Sequence, residues 1–520
     1  MPDERTSDRK CGILCHPTSI PGAHGIGDLG EGPRRFIDFL VDAGQTLWQV
    51  LPLGPTGYGD SPYQPFSAFA GNPLLIDLTE LVREGLLVGA DLSEAEGLPA
   101  DRVDYGRVID LKGSALRAAH ANLPARGSAA LRRELDAYVA REAHWLDDYA
   151  LFMALKERFG WKPWVEWPSD IALRRADAVE RWRLELADSV GYHRFIQFLF
   201  ARQWARLRAY ANAAGVAIIG DMPIFVGHDS ADVWAHRDLF RLDERGYPTV
   251  VAGVPPDYFS ATGQLWGNPL YRWGLMRERG YDWWLARLRN ALAAVDMVRL
   301  DHFRGFSGYW EVPAGEETAV NGRWVRGPGA HFFEAVRRAL GALPIIAEDL
   351  GLISVDVDEL RRAFGLPGMR VIQFGFGADA SNLNLPHNWE RNLLAYTGTH
   401  DNDTTLGWYR AADEKARHQV RVYTGTDGSD VHWTLIRLTM NSVADMAVFP
   451  LQDILGLGSE ARLNTPGLPH GNWTWRYQRG ALRPELAAAL RAMAEASGRW
   501  LPPGEQWDAA TPLVLEYEEP

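Results

Sequence analysis

Eight short apolar stretches, spaced among helical patterns, constrain this chain more than any other feature. They lie at residues 12–16, 46–53, 216–224, 297–301, 344–349, 369–376, 393–401 and 446–451. Apolar runs of this length, bounded by Gly, Pro or charged residues, read as buried strands. Helical periodicity separates them at 33–43, 193–214, 281–295, 331–340 and 430–444, and a last helix at 484–496 closes the series. Asp356 and Glu359 form a capping-box pattern for a further helix that runs to residue 364. This alternation predicts an α/β architecture, and eight units predict a (β/α)8 barrel. A doubly wound sheet competes, but no Gly-x-Gly-x-x-Gly follows the first strand.

At 520 residues the chain is longer than a plain barrel, so the surplus reads as insertions within one domain spanning 1–520. Residues 79–190 are rich in Ala, Leu, Arg and Glu with helical periodicity and predict a mainly helical subdomain. Residues 225–275 show little regular pattern and predict a loop subdomain that serves as a lid over the site.

The net charge of −13, with no basic stretch to offset it, argues against a nucleic-acid partner. No apolar run approaches membrane-spanning length, and the charged N-terminus lacks the apolar core of a signal peptide. The two cysteines, Cys11 and Cys15, are placed too far apart on one strand to bridge, which fits a reducing compartment. A cytoplasmic protein without a membrane partner is expected. The 21 Trp, 17 Tyr and 20 Phe include many in Gly/Pro-rich loops. Rings in loops suit a ligand with apolar faces and polar edges, as sugars have, although core filling accounts for part of the number.

Four of the eight stretches end in a carboxylate: Asp221, Asp301, Glu348 and Asp401. Any one alone reads as a structural acid; four at the same end of their units point to a site at the C-terminal rim of a barrel. Asp301 and Glu348 end the fourth and fifth strands. Neighbouring strands lie about 4.8 Å apart, which allows the separation of about 5–5.5 Å used by retaining glycosidases. Arg299 shares a strand face with Asp301 and favours its ionised form, as a nucleophile requires. The apolar approach Ile345, Ile346, Ala347 raises the pKa of Glu348, as an acid requires. Asp401, His302 and His400 could hold sugar hydroxyls. A metal site built from His302, Glu348, Asp349, His400, Asp401 and Asp403 is the rival, but no His-x-His or His-Glu-x-x-His pattern occurs and the flanking arginines oppose a cation.

The motifs at 220–227 (Gly-Asp-Met-Pro-Ile-Phe-Val-Gly), 299–306 (Arg-Leu-Asp-His-Phe-Arg-Gly-Phe), 346–351 (Ile-Ala-Glu-Asp-Leu-Gly) and 396–405 (Tyr-Thr-Gly-Thr-His-Asp-Asn-Asp-Thr-Thr) resemble those of 4-α-glucanotransferases (amylomaltases, or disproportionating enzymes), relatives of the α-amylases. The stretches 48–56, 59–64 and 462–467 extend the resemblance over nearly the whole chain. It implies transfer of α-1,4-glucan segments from a maltodextrin donor to the 4-hydroxyl of glucose or a glucan, through a covalent glycosyl-aspartate and without cofactor or metal. It implies Asp301 as nucleophile, Glu348 as general acid/base and Asp401 as transition-state stabiliser. Tyr63, Asp221, Gln264, Arg299, His302, His400 and Asn464 are implied to contact sugar, with Tyr58 and Trp266 flanking the chain or the acceptor. It also implies that the separate C-terminal β domain of many α-amylases is missing. The carboxylates alone do not separate a transferase from an α-glucan hydrolase. A catalytically inactive carbohydrate-binding barrel is the other alternative.

Overall fold

The computed structural model describes residues 9–256, 260–351, 353–468 and 470–500. Its strands are β1 (Lys10–Leu14), β2 (Leu47–Gln49), β3 (Ala217–Pro223), β4 (Val250–Val254), β5 (Gln264–Pro269), β6 (Met297–Asp301), β7 (Gly308–Pro313), β8 (Arg323–Arg326), β9 (Ile345–Ala347), β10 (Gly368–Val371), β11 (Leu393–Tyr396) and β12 (Met446–Pro450). Eight of them form one sheet in the order β10-β11-β12-β1-β2-β3-β6-β9. Every neighbouring pair in it is parallel. The two ends of that order meet: Ala347 N–H donates to the Pro367 carbonyl at 2.8 Å, and the Asp349 carboxylate accepts from Met369 N–H at 2.6 Å. The sheet is the expected (β/α)8 barrel, nearly closed.

The apolar stretches become strands because helices cover one face and the barrel interior fills the other. Every residue of β9, β11 and β12 is buried. Parallel strands covered on both faces favour continuous aliphatic runs over alternation. β3 and β12 each end on a proline, which has no N–H to extend a ladder. β1 and β2 pack so closely that a β-carbon at Gly12 would lie 2.2 Å from the Leu47 carbonyl oxygen. Trp48 on β2 is fully buried and meets Phe36 at a tilt, ring centroids 5.5 Å apart, while its Nε1–H donates to the Cys15 carbonyl at 2.8 Å. Trp48→Ala would remove that packing at a cost of about 3–5 kcal/mol.

The segment 79–190 contributes the long helices Tyr105–Arg126 and Ala129–Arg158. Ser128 caps the second by accepting Leu131 N–H at 3.0 Å, and that helix packs along helix Ala187–Ala213. Lys156, near its C-terminal end, is buried and pairs with Asp229 at 2.6 Å, which ties the helix to the segment after β3. No described helix is long and apolar enough to cross a membrane.

Two expectations are corrected. Residues 225–275 are not patternless: β4 and β5 pair antiparallel there, and with β7 and β8 they form a second, four-stranded sheet in the order β5-β4-β7-β8. These strands are short, include Gly253, Gly267 and Pro269, and are partly exposed, so they lack the apolar run that marks a buried strand. Nor does the capping box form. The helix begins as Val355–Ala363 with Ser354 at the N-cap, so Asp356 lies inside its first turn and accepts from the Ser307 hydroxyl.

Candidate active site

All barrel strands run the same way, so their C-terminal ends share one rim. β3 carries Asp221, β6 ends on Asp301, and Glu348 directly follows β9. Strands β6 and β9 are neighbours with Leu300 opposite Ala347, which brings the next residues, Asp301 and Glu348, side by side. Glu348 N–H donates to the Leu300 carbonyl at 3.1 Å, fixing the junction. Asp401 departs from expectation. β11 stops at Tyr396, so Asp401 belongs to the loop before helix Thr405–Ala411 rather than to a strand end. The Asn402 side chain accepts from both Thr399 N–H and its hydroxyl at 2.9 Å, and this local turn replaces the ladder.

The electrostatics centre on Arg299. It pairs with Asp221 at 2.7 Å and with Asp301 at 2.8 Å. Burial alone would lower its pKa; the two aspartates overcome this and hold it well above the usual arginine value. Asp221 has no exposed side-chain surface, whereas the Asp301 side chain is 28 % exposed to the mouth. Arg299 therefore rests on a buried carboxylate and presents its other edge to an open one. Glu348 accepts from His302 N–H and Leu350 N–H, each at 2.8 Å. Burial and then the adjacent Asp301 charge push its pKa up to about 7, against the pull of Arg299 and of those two N–H groups. A buried acid that titrates near neutrality can give and take a proton.

Tyr63 donates its O–H to Asp221 at 2.8 Å, and its ring stacks on His400 with centroids 4.9 Å apart. Burial and then Asp221 raise its pKa, so it keeps the proton it donates. His400 lies 3.3 Å from the Asp401 carboxylate, and Asn464 donates to the same oxygen at 2.6 Å. His302 adopts left-handed backbone (φ 55°), which lets its N–H reach Glu348 while its ring turns aside. Burial pushes its pKa down to about 4, so the ring is neutral, and its Nε2 is buried without a hydrogen-bond partner. Trp266 on β5 meets that ring edge-on at 4.7 Å, and Gln264 accepts from Trp266 Nε1–H at 3.1 Å. One chain of contacts thus joins Gln264, Trp266, His302 and Glu348, and another joins Asp301, Arg299, Asp221, Tyr63, His400, Asp401 and Asn464. Tyr58 lies in the short turn Tyr58–Asp60, and its side chain falls outside the described ones.

Several contributors are not singled out by the sequence. Arg462, the first residue of the 462–467 stretch, donates to the Asp401 carbonyl at 2.7 Å. Trp473 packs against both Tyr63 and His400, each at 5.9 Å. Asp453, buried just after β12, accepts from the Thr397 hydroxyl at 2.6 Å and from Thr405 N–H at 2.6 Å, clamping both ends of the Asp401 loop. A lone acid after an apolar run and a lone Trp after Gly-Asn are the only traces these leave in sequence.

The rival metal-ligand set is not gathered: Asp349 faces Met369 N–H, Arg361 and Arg370, and Asp403 accepts from Ser459. Among the described residues, the one group of three potential ligands within 4.8 Å of one another is His24, Asp28 and Asp77. It lies apart from these carboxylates, and the buried Lys112 ammonium offsets its charge.

A family model described as 4-alpha-glucanotransferase matches residues 15–482. The 4-alpha-glucanotransferase of Thermus thermophilus is 52% identical, over 94% of this chain and 99% of its own length. That of Synechocystis is 50% identical, over 95% of this chain and 98% of its own length. The solved structure of the amylomaltase from Streptococcus agalactiae in complex with acarbose superposes with a TM-score of 0.92 at 38% identity, covering 95% of this chain and all of that one. By sequence and by fold, the chain belongs to the 4-alpha-glucanotransferase family.

Proposed function

We propose that the family's transfer of α-1,4-glucan segments is carried out in this chain by Asp301, Glu348 and Asp401 through a double displacement. Asp301, paired with Arg299, attacks the anomeric carbon of the donor. Glu348 passes its proton to the glycosidic oxygen, and the reducing-end fragment leaves. The glycosyl unit is then an ester of Asp301. Glu348, now a carboxylate, takes the proton of an acceptor 4-hydroxyl, whose oxygen displaces Asp301 from the anomeric carbon. Arg299 orients the nucleophile. Asp221 acts through Arg299 and Tyr63, because its own carboxylate is fully buried. Asp401, held by Asn464 and His400, grips sugar hydroxyls through hydrogen bonds that strengthen in the transition state. Tyr63, His302, His400, Gln264 and Trp266 line the mouth around the reacting unit.

The observation that carries this reading is the pair itself: Asp301 beside a fixed arginine, and next to it a Glu348 whose pKa is about 7. Environments that differ this way divide the roles of nucleophile and acid. The acceptor is glucose or a glucan. The segment 225–275 serves as a lid: Trp266 stands edge-on to His302 beside Glu348, where it can exclude water and favour a sugar hydroxyl. Tyr258, in the expected lid segment, lies outside the described residues. The reading keeps the enzyme in the cytoplasm without nucleic-acid or membrane partners, supported by the net charge of −13 and by the free, buried thiols of Cys11 and Cys15.

Incubation with maltotriose tests it. Transfer yields glucose and a ladder of longer maltodextrins with the number of reducing ends constant. Reducing ends that climb until only short sugars remain would mean hydrolysis and sink the transferase assignment.

A further inference from the structure

Trp324 is a large ring kept at the surface of the four-stranded sheet. It lies on β8, and 46% of it is exposed. Two neighbours fix its position. Trp310, directly opposite on β7, meets it edge-on with centroids 5.3 Å apart. The Arg304 guanidinium lies over the ring, 4.0 Å from its centroid. Trp310 is itself locked, because its Nε1–H donates to the Ala319 carbonyl at 2.8 Å. The chain at Gly322 passes so close that a β-carbon there would lie 2.1 Å from that nitrogen. With Arg304 over one face and Trp310 at the edge, the exposed surface of Trp324 is a preset apolar plane. Such a plane suits the C–H face of a sugar, and a ring already held in place loses little freedom when it binds.

Arg304 connects this plane to the reacting centre. It follows by two residues His302, whose N–H donates to Glu348 at 2.8 Å; burial lowers the Arg304 pKa, and the Asp356 and then the Glu348 carboxylate oppose that shift. The acid/base stands on the side of the reacting bond where the leaving fragment departs and the acceptor arrives. We propose that Trp324, propped by Trp310 and Arg304, stacks a glucose unit of the acceptor-side glucan remote from the cleaved bond. The small sheet then reads chain length, because only a chain long enough to reach Trp324 gains the contact. This rests on the assignment of Glu348 as acid/base, which defines the acceptor side. Trp324 takes no part in bond making.

The test compares two acceptors, glucose and maltohexaose, with one maltodextrin donor and the full-length protein. Trp324→Ala raises the KM for maltohexaose about tenfold and leaves that for glucose within about twofold. Trp324→Phe, which keeps a ring, recovers most of the loss. Equal losses with both acceptors, or none with either, overturn the proposal. Calorimetric titration of maltohexaose into Asp301→Asn and into Asp301→Asn/Trp324→Leu, which keeps apolar bulk but no ring, covers an Ala variant that folds poorly. Weaker binding in the second supports the platform, and equal binding overturns it. The two readings fail separately: wild-type turnover by Asp301→Asn removes the catalytic assignment, whereas chain-length-independent behaviour of Trp324→Ala removes only the platform.

Discussion

The two sides of the barrel mouth are built by different means. On one side, strands β3, β6 and β9 deliver Asp221, Arg299, Asp301 and Glu348, and parallel ladders fix their backbones. On the other, Asp401 sits five residues beyond the end of β11, and its side chain is 46% exposed. Asn464 and His400 hold its carboxylate, Arg462 holds its carbonyl, and Asp453 ties down its loop from below. The strand side needs no side chain to place its backbone, and uses its polar contacts to set charge. The loop side uses its polar contacts to set position. The proposed nucleophile and acid are thus placed by the barrel, while the proposed stabiliser Asp401 is placed by a replaceable network.

The largest effect should come from the strand side. Asp301→Asn is expected to lower kcat by on the order of 10⁴-fold or more while maltodextrin binding survives. Steady-state rates and a binding titration check both halves. Glu348→Gln should follow, with a loss of about 10²–10⁴-fold. In the wild type the acid form of Glu348 exists below its pKa of about 7 and is lost as pH rises through it. The kcat/KM for donor should therefore fall on the alkaline side of neutrality, and that limb should vanish in Glu348→Gln. The same shift has a stability sign. Ionising Glu348 costs more in the folded chain, so between its ordinary value of 4.5 and about 7 stability drains away as pH rises. Glu348→Gln should melt above the wild type at pH 8, measured by thermal denaturation; a lower Tm there would contradict the shift.

On the loop side, Asp453→Ala removes three hydrogen bonds at a buried carboxylate. It should cost about 2–3 kcal/mol of stability and a further factor in kcat of about tenfold through Asp401. If kcat holds while Tm drops, the loop is positioned without Asp453, and the contrast between the two sides weakens. The smallest effect is expected for Tyr63→Phe, which keeps the ring stacked on His400 and loses one donor to Asp221. A fall in kcat/KM of about tenfold, seen in initial rates at low donor, would match one hydrogen bond to a charged group.

The same division separates what could be read along the chain from what could not. The three strand-side acids and Arg299 follow continuous apolar runs that only a doubly covered strand demands. Their place on the rim, and the neighbouring of Asp301 and Glu348, follow from counting units. Asp401 is legible as a residue but not by its place in a loop, because the side-chain turn made by Asn402 and Thr399 leaves no periodic signal. Arg462, Asp453 and Trp473 work through partners dozens to hundreds of residues away, as Trp473 does with Tyr63. The strands of the small sheet leave little signal in the sequence for a similar reason: short and partly exposed, they are stabilised by each other rather than by burial of both faces.

The sequence by itself determined the eight-stranded barrel, the rim that carries the acids and the neighbouring of Asp301 and Glu348, since burial of both strand faces dictates composition residue by residue. Only the tertiary structure decided how Arg299 shares itself between Asp221 and Asp301, how far the Glu348 pKa rises, what holds the Asp401 loop, and that a second sheet sets Trp324 under the Arg304 guanidinium. Charge balance and loop capping depend on distances between residues far apart in the chain, and composition and periodicity carry no record of those distances.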